Sequence, residues 1–318
     1  MEGRTSRSFA GAGLIVLAAA CYATLGPLTR FAEEGGVSAL ILVTWRAALG
    51  GVLTGAFALA AWSASGTRPF SWRAVPARQR WLLGTTALVN ALLNLSVFAA
   101  FGRITIALAL LLFYLYPAGV ALASVVWFGE RLDRLRWAAL GISLIGLVLV
   151  LVGGSEVGAL DGLGLLLAFL GGAGQVAYVL LVRHGFSSVP APQAASLTMA
   201  GAAIVYLAIA APIGQLGDVA QPLAGGAALW PVVAAGVVGA GIPTIAYMTG
   251  IRMLGAPRAA ILSTLEPVIG VGLAAWLLGE QPALVQIAGG GLILVAAVLL
   301  QVERRGAVAA EHEAVAAG

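Results

Sequence analysis

The 318-residue sequence is 61% hydrophobic and 9% charged, with a formal net charge of +4 and a mean hydropathy of +1.01. Charged residues make up about a quarter of soluble globular domains, so this composition excludes that class. A membrane-spanning helix needs about 20 apolar residues, which leaves room for about ten helices joined by short loops. The single cysteine, Cys21, excludes an internal disulfide and a zinc cluster.

Apolar runs between Gly, Pro and charged residues predict ten transmembrane helices. The first five lie near residues 9–31, 38–62, 81–101, 105–128 and 136–154, and the second five near 161–182, 192–213, 229–252, 257–279 and 283–301. The first apolar run continues to about Phe31 and is longer than the core of a signal peptide. We therefore expect the first helix to be retained rather than cleaved.

The distribution of arginine predicts the orientation. Cytoplasmic loops of membrane proteins are enriched in Lys and Arg. All 17 basic residues are Arg, and fourteen of them fall on the inside if both termini are cytoplasmic. Only Arg30 and Arg103 then face outside, while Arg46 lies within a span. We predict a multi-pass plasma-membrane protein with both termini in the cytoplasm.

The two halves of the chain share a motif at an offset of 150 residues. The segment PAGVALASVVWFGE, residues 117–130, recurs as PVIGVGLAAWLLGE, residues 267–280. Each repeat has an odd number of spans, so the second enters the membrane from the opposite side. The predicted fold class is an all-α membrane protein with ten transmembrane helices as two inverted five-helix repeats. The predicted domains are a cytoplasmic tail at 1–8, repeats at 9–154 and 155–302, and a cytoplasmic tail at 303–318.

Glu266 is the leading functional candidate because it lies about halfway along the ninth predicted span. An acidic residue there costs about 2.5–3.5 kcal/mol on the insertion scale for Asp, so it points to function. The next residue, Pro267, removes a helical hydrogen bond and predicts a kink, and Tyr116 and Pro117 occupy the same place in the first repeat. Burial disfavours the charged carboxylate, which suits a proton carrier. The alternative is a purely structural bond from Glu266 to a neighbouring helix.

Arg46 is the second candidate, within the segment TWRAALGG of the second span. It lies about 12 Å from the outer end of that span. Two interpretations remain open: the side chain reaches the outer headgroups, or it faces a cavity. In a cavity, Arg46 could hold a substrate carboxylate or pair with Glu266. Pairing favours the charged form of Glu266 and opposes the role of proton carrier.

Polar and aromatic side chains recur within several spans at helical spacing, and together they predict a hydrated pocket. Each one singly also suits hydrogen bonding between helices. We assign substrate contacts to four of them: Asn94, Tyr116, Gln175 and Tyr247. The residues that support the same pocket are Tyr22, Thr24, Asn90, Tyr178 and Thr244.

Catalytic and metal chemistry have no basis in the sequence. The two histidines, His184 and His312, lie outside the predicted spans. No metal-ligand spacing, nucleophile–base set or phosphate-binding loop is present. The prediction is therefore a protein that is not an enzyme and that has no cofactor, metal or nucleic-acid partner.

The duplicated motif carries a family resemblance. The stretch LEPVIGVGLAAWLLGE at residues 265–280, with Arg46 in the second span, is similar to the EamA-domain branch of the drug/metabolite transporter superfamily. The resemblance covers about residues 9–302. It implies a ten-span carrier that moves metabolites, often amino acids or related compounds, without ATP. The first copy departs from the pattern because Tyr116 stands where the second copy has Glu266.

On these grounds the sequence predicts a secondary active transporter that exports a small, amino-acid-like metabolite by alternating access. Coupling to protons through Glu266 is a secondary hypothesis. The alternatives are an uncoupled facilitator or exchanger, and a membrane channel or scaffold without a carrier cycle. The expected partners are a small-molecule substrate, protons and the lipid bilayer. A monomer and a homodimer both fit the sequence.

Overall fold

The structure is a computed structural model that describes residues 2–65, 71–101, 103–104, 106–152, 161–224, 226, 228–278 and 281–299. All regular elements in these ranges are helices, which confirms the all-α prediction. The predicted tail at 303–318 and the second motif glutamate, Glu280, lie outside the described residues.

The main helices follow one another with short connections. In chain order they are α1 (Glu2–Ala23), α2 (Leu25–Glu34), α3 (Ala39–Ser65), α4 (Ala77–Phe101), α5 (Ile106–Phe113), α6 (Tyr116–Phe128), α7 (Arg134–Val152), α8 (Gly162–His184), α9 (Ala191–Ala210), α10 (Leu229–Gly236), α11 (Ile242–Leu254), α12 (Ala256–Ser263), α13 (Leu265–Leu278) and α14 (Leu284–Leu299). Short 3₁₀ helices lie at Trp72–Ala74 and Gly217–Ala224, and a π-helical turn at Val237–Gly241 joins α10 to α11.

Nine spans in the described part of the chain are long and apolar enough to cross a membrane. They are Phe9–Glu34, Ala39–Ala64, Ala77–Ala100, Ala109–Phe128, Arg134–Val152, Gly162–His184, Ala191–Ala210, Leu229–Leu254 and Ala256–Leu277. α14 is a shorter apolar helix at the place of the tenth predicted span. The protein is therefore a multi-pass membrane protein, and the tenth crossing stays a prediction.

The outer surface of the bundle is suited to lipid. Trp81 is 79% exposed, Trp276 80% and Leu284 83%. Exposed apolar side chains of this size and number are unfavourable in water, whereas lipid tails are as apolar as the side chains themselves. The exposed faces of the helices therefore lie against the bilayer.

Two spans are interrupted at equivalent positions of the repeated motif. The first interruption falls at Tyr114 and Leu115, between α5 and α6, and the second at Thr264, between α12 and α13. Each lies less than one turn before a proline, Pro117 or Pro267, which has no backbone N–H to donate to the preceding turn. The local hydrogen bonds tighten accordingly: Leu115 N donates to Leu112 O at 3.3 Å, and Thr264 N donates to Ile261 O at 3.1 Å.

The helices of the two halves pack against each other throughout the bundle. α1 packs on α11, α4 on α8, and α3 on α9. α8 also contacts α5 and α6, while α1 contacts α12 and α13. The largest core cluster includes Ile15, Val120, Val179, Ile251 and Ile261, so it draws on both halves of the chain.

Helices α7 and α14 approach so closely that only glycine fits at their crossing. A β-carbon on Gly146 would lie 2.6 Å from the Gly289 carbonyl oxygen, and one on Gly289 would lie 2.5 Å from the Gly146 carbonyl oxygen. Small residues at such crossings let transmembrane helices gain van der Waals contact. This pair fixes α14 against the first half of the chain.

We predict that G146V destabilises the protein, because the new side chain must push α14 away. Overpacking at a close contact costs about 1–3 kcal/mol of unfolding free energy. The matched control is G141V on the same helix, where nothing lies within 4 Å of the added β-carbon. The melting temperature of the detergent-purified protein should fall for G146V and stay near wild type for G141V. Equal melting temperatures for the two variants would contradict the close crossing.

Candidate functional site

Polar and aromatic side chains from seven spans meet inside the bundle, beside the two helix interruptions. Both halves of the chain contribute to this set, which is called the central cluster below. Its members are Tyr22, Arg46, Asn94, Tyr114, Tyr116, Gln175, Tyr178, Thr244, Tyr247, Ser263 and Glu266.

Arg46 of α3 is directed at the neighbouring helix α4. Its Nη2 donates a hydrogen bond to Asn94 Oδ1 at 3.1 Å. Asn94 Nδ2 in turn donates to the Asn90 carbonyl oxygen at 2.7 Å, which fixes the orientation of the amide. No carboxylate of the described residues forms an ion pair with Arg46. A guanidinium can make five hydrogen bonds, so Arg46 retains donors for another group.

Glu266 lies in the first turn of α13, where the helix restarts after the interruption. The N-terminal turn of a helix carries unpaired N–H groups and a positive partial charge, both of which favour a carboxylate. The Tyr114 hydroxyl and the Arg46 guanidinium are its polar neighbours in the central cluster. Glu266 is partly exposed, although Leu265 and Pro267 on either side are buried. The side chain of Glu266 is therefore packed less tightly than those of its two neighbours.

Tyrosines form the aromatic wall of the central cluster. The rings of Tyr22 and Tyr247 meet edge to face with centroids 6.3 Å apart, and Tyr178 stacks in parallel on Tyr247 at 6.5 Å. The rings of Tyr114 and Tyr116 lie 6.0 Å apart. Five of the six tyrosines in the chain thus converge on one place.

The Tyr247 hydroxyl lies where several helices meet. It accepts a hydrogen bond from Gln175 Nε2 at 3.4 Å, and the hydroxyls of Tyr116 and Ser263 are its polar neighbours. These side chains come from α11, α8, α6 and α12.

A contact between two side-chain hydroxyls joins α1 to α11 at the edge of the cluster. The Tyr22 hydroxyl lies 3.3 Å from Thr244 Oγ1. Thr24 stands apart, because its hydroxyl donates to the Cys21 carbonyl oxygen at 2.7 Å within the turn between α1 and α2. The structure therefore brings together all six residues predicted as substrate or coupling groups. Of the supporting residues, Thr24 lies outside the central cluster, and Asn90 contacts it through its bond to Asn94.

The sequence pattern missed Tyr114 and Ser263. In an unbroken helix, residues 114 and 116 would point about 200° apart, so only one of them could face the site. The interruption between α5 and α6 turns both tyrosines toward the cluster. The signal that could have indicated this is the proline that follows, Pro117, because it predicts that helical phase is lost there.

Contacts between the two halves lie on both sides of the central cluster. On the side with few arginines, Arg103 Nη1 lies 2.9 Å from Asp161 Oδ2. The guanidinium and the Leu163 N–H, which donates to Asp161 Oδ1 at 3.0 Å, lower the pKa of Asp161 below its usual value.

On the arginine-rich side, His184 Nε2 lies 3.7 Å from Glu130 Oε1. The His184 imidazole also stacks on the Phe128 ring with centroids 3.9 Å apart. These contacts join the end of α8 to the end of α6. Contacts between the halves therefore occur on both sides of the central cluster. No group of three or more His, Cys, Asp or Glu side chains that could hold a metal ion occurs in the part of the chain that the structure describes.

The profile of the EamA-like transporter family matches the chain twice, over residues 9–152 and 162–302. The chain belongs to this family. The family resemblance predicted from the repeated motif is confirmed, and the protein is a membrane transporter rather than an enzyme.

Two curated relatives of this EamA-like transporter carry transporter names. A protein from Archaeoglobus fulgidus, named "Uncharacterized transporter", is 27% identical over 226 residues, which cover 71% of this chain and 78% of the relative. The Bacillus subtilis "Uncharacterized transporter YxxF" is 24% identical over 213 residues, which cover 66% of each chain. A solved crystal structure matches the fold with a TM-score of 0.74 at 22% identity and covers 94% of this chain and 98% of its own.

We predict that water reaches the central cluster, whereas it does not reach the lipid-facing surface of the same helices. Replacing Cys21 by Ser gives a background without cysteine, in which N94C should react with a charged methanethiosulfonate reagent. Such reagents attack the thiolate, which forms only where water reaches the sulfur. The control is L92C on the same helix, where Leu92 is 49% exposed to the lipid side. N94C should react at least about tenfold faster than L92C, and equal rates would contradict a hydrated site.

Proposed function

We propose that this EamA-like transporter is a secondary active carrier that exports a small, amino-acid-like metabolite by alternating access. The observation that carries the proposal is that the central cluster holds one basic and one acidic side chain, Arg46 and Glu266, from different halves of the chain. No ion pair joins them in the part of the chain that the structure describes. Isolated charges are costly away from water, so a substrate that supplies the missing partners gains binding energy there.

A dipolar substrate satisfies both charged groups at once. Its carboxylate would accept hydrogen bonds from Arg46 and from the amide of Asn94, in the geometry that guanidinium groups favour. Its ammonium group would lie near Glu266 and over the tyrosine rings, where cations are attracted to the aromatic face. Gln175 and Tyr247, which are joined by a hydrogen bond, would contact the remainder of the substrate. These contacts support an amino acid or a closely related compound.

The arrangement of helices supports two inverted repeats. Under the predicted repeat, the first and sixth spans are equivalent, as are the third and eighth. The packing of α1 on α11 is then the counterpart of the packing of α8 on α4. The contacts of α8 with α5 and α6 likewise correspond to the contacts of α1 with α12 and α13. Such a frame has two near-equivalent packings that open to opposite sides of the membrane.

Glu266 is the proposed coupling group of the carrier. A carboxyl group at a helix N-terminus within a span can bind a proton on one side of the membrane and release it on the other. A proton on Glu266 and an ammonium group near it exclude each other. Protons that enter down their gradient would thereby drive the substrate out.

We expect E266Q to abolish the dependence of transport on the proton gradient. The amide keeps the shape of the side chain but cannot carry a proton between the two sides. Flux in both directions is measured in proteoliposomes with a panel of amino acids, nucleosides, sugars and cationic drugs, with and without a pH gradient. The matched control is E34Q, which removes an exposed acid at the end of α2.

Each outcome of this assay assigns a function. Gradient-dependent export by wild type and E34Q, and its loss in E266Q, would support the proton-coupled carrier. Saturable exchange that does not depend on the pH gradient, in wild type or in either variant, would establish the uncoupled exchanger instead. Flux without saturation, together with single-channel currents, would establish a channel.

The proposed inverted repeat requires both termini on the same side of the plasma membrane, and the arginine distribution predicts that this side is the cytoplasm. In the background without cysteine, S6C and E313C should react with an impermeant thiol reagent only after the cells are permeabilised. D218C, in the connection between α9 and α10, should react in intact cells. Labelling of one terminus but not the other in intact cells would contradict an even number of spans.

A further inference from the structure

An apolar groove runs along the lipid side of the bundle between α6 and α8. Its volume is about 470 Å³, which is within the usual range for small-molecule sites. One face of each helix lines it, and alanine at three of the lining positions keeps the side chains short. These positions are Ala123, Ala173 and Ala177.

The groove is open to the bilayer along its length. Leu122 is 59% exposed and Phe169 is 55% exposed at its edges. Tyr116 and Trp127 are the two lining residues with side-chain hydrogen-bonding groups; the Tyr116 hydroxyl is turned toward Tyr247 and Ser263 in the central cluster, and Trp127 lies at the other end of the groove. Between these two residues the lining is apolar, so the groove offers contact to hydrocarbon. No charged side chain lines it that could pair with either end of a dipolar substrate.

The length of the groove matches one leaflet of the bilayer. It extends along α6 from Tyr116, in the interior of its span, to Trp127, near the end of that span. At a rise of about 1.5 Å per residue, this distance is about 16 Å. The hydrocarbon core of a bilayer is about 30 Å thick, so the groove has about the depth of one acyl layer.

The mouth of the groove lies at the arginine-rich side of the protein. Trp127 is 73% exposed there, as is typical of residues at the membrane interface. Arg131 and Arg134 follow within two turns and are both exposed. Basic side chains at this depth attract anionic lipid headgroups.

We propose that the groove binds one acyl chain of an anionic phospholipid from the arginine-rich leaflet. The chain would fill the space between α6 and α8 and end at the Tyr116 ring, while Arg131 and Arg134 would hold the phosphate. Since Tyr116 also belongs to the central cluster, the lipid and the substrate site share one side chain. The lipid site itself does not depend on the proposed transport cycle.

Native mass spectrometry of the purified full-length protein tests this site. Phosphatidylglycerol and phosphatidylcholine are titrated separately, and bound lipids are counted. We expect one phosphatidylglycerol to bind wild type more tightly than phosphatidylcholine does. A173W should weaken its binding at least about tenfold, because Ala173 lines the groove and is exposed, so that the indole fills the acyl space.

The matched control is A138W, which places the same side chain at an exposed position of α7, outside the groove. It should bind phosphatidylglycerol as wild type does. The double variant R131Q/R134Q should lose the preference for phosphatidylglycerol and keep the affinity for phosphatidylcholine. These two results would separate the acyl site from the headgroup site.

A second measurement uses the wild-type protein alone. Phosphatidylglycerol with a photoreactive diazirine in its acyl chain should crosslink to peptides of α6 and α8. Equal lipid binding by A173W and A138W, or crosslinks spread over the whole lipid surface, would overturn the proposal. Displacement of the crosslink by a transported amino acid would also overturn it, because the groove would then belong to the substrate path.

Discussion

The requirement that backbone hydrogen bonds be satisfied within the bilayer organises this protein. Without water, an unpaired N–H or carbonyl group in the membrane is costly, so spans are continuous helices unless neighbours replace the lost bonds. The interruptions before Pro117 and Pro267 both lie against other helices. Gly172 of α8 passes so close to the first one that a β-carbon there would lie 2.9 Å from the Phe113 carbonyl oxygen, the group that Pro117 leaves without a donor.

The two halves of the chain resemble each other more in backbone structure than in the side chains that they place at the site. Both interrupted spans restart a helix at the same point of the motif, and both new helix ends favour a negative group. Only the second copy places an acid there, Glu266, whereas the first has Tyr116. The counterpart of Arg46 at the offset of 150 is Ser196, which is also neutral. The repeated helices thus hold one acid and one cation in the central cluster, and each has a neutral counterpart in the other repeat. The charges of the site are therefore asymmetric although the helices around it are repeated.

Hydrophobic length was enough to locate nine of the ten predicted spans in the described part of the chain, because the energy of a helix in lipid depends mainly on its apolar run. Glu266 and Arg46 stood out for the same reason, since charge within a span is rare. Contacts between helices could not be predicted from hydrophobic length or from the rarity of charge. The bond between Arg46 and Asn94 depends on how α3 meets α4, and Tyr114 joins the cluster only because helical phase is lost between α5 and α6. The groove was missed because small residues in a periodic pattern look like close packing.

Helix α6 is the segment through which the bilayer and the central cluster can influence each other. One of its faces contributes Tyr116 to the central cluster, and another lines the apolar groove. Its far end is joined to α8 by the contact of Glu130 with His184, a surface pair that contributes little on its own. In the proposed cycle, α6 must separate from α8 when the site opens to the arginine-rich side. A ligand shifts an equilibrium between two conformations only by the difference in its affinity for them. An acyl chain between α6 and α8 therefore opposes their separation only if it binds the closed arrangement more tightly than the open one.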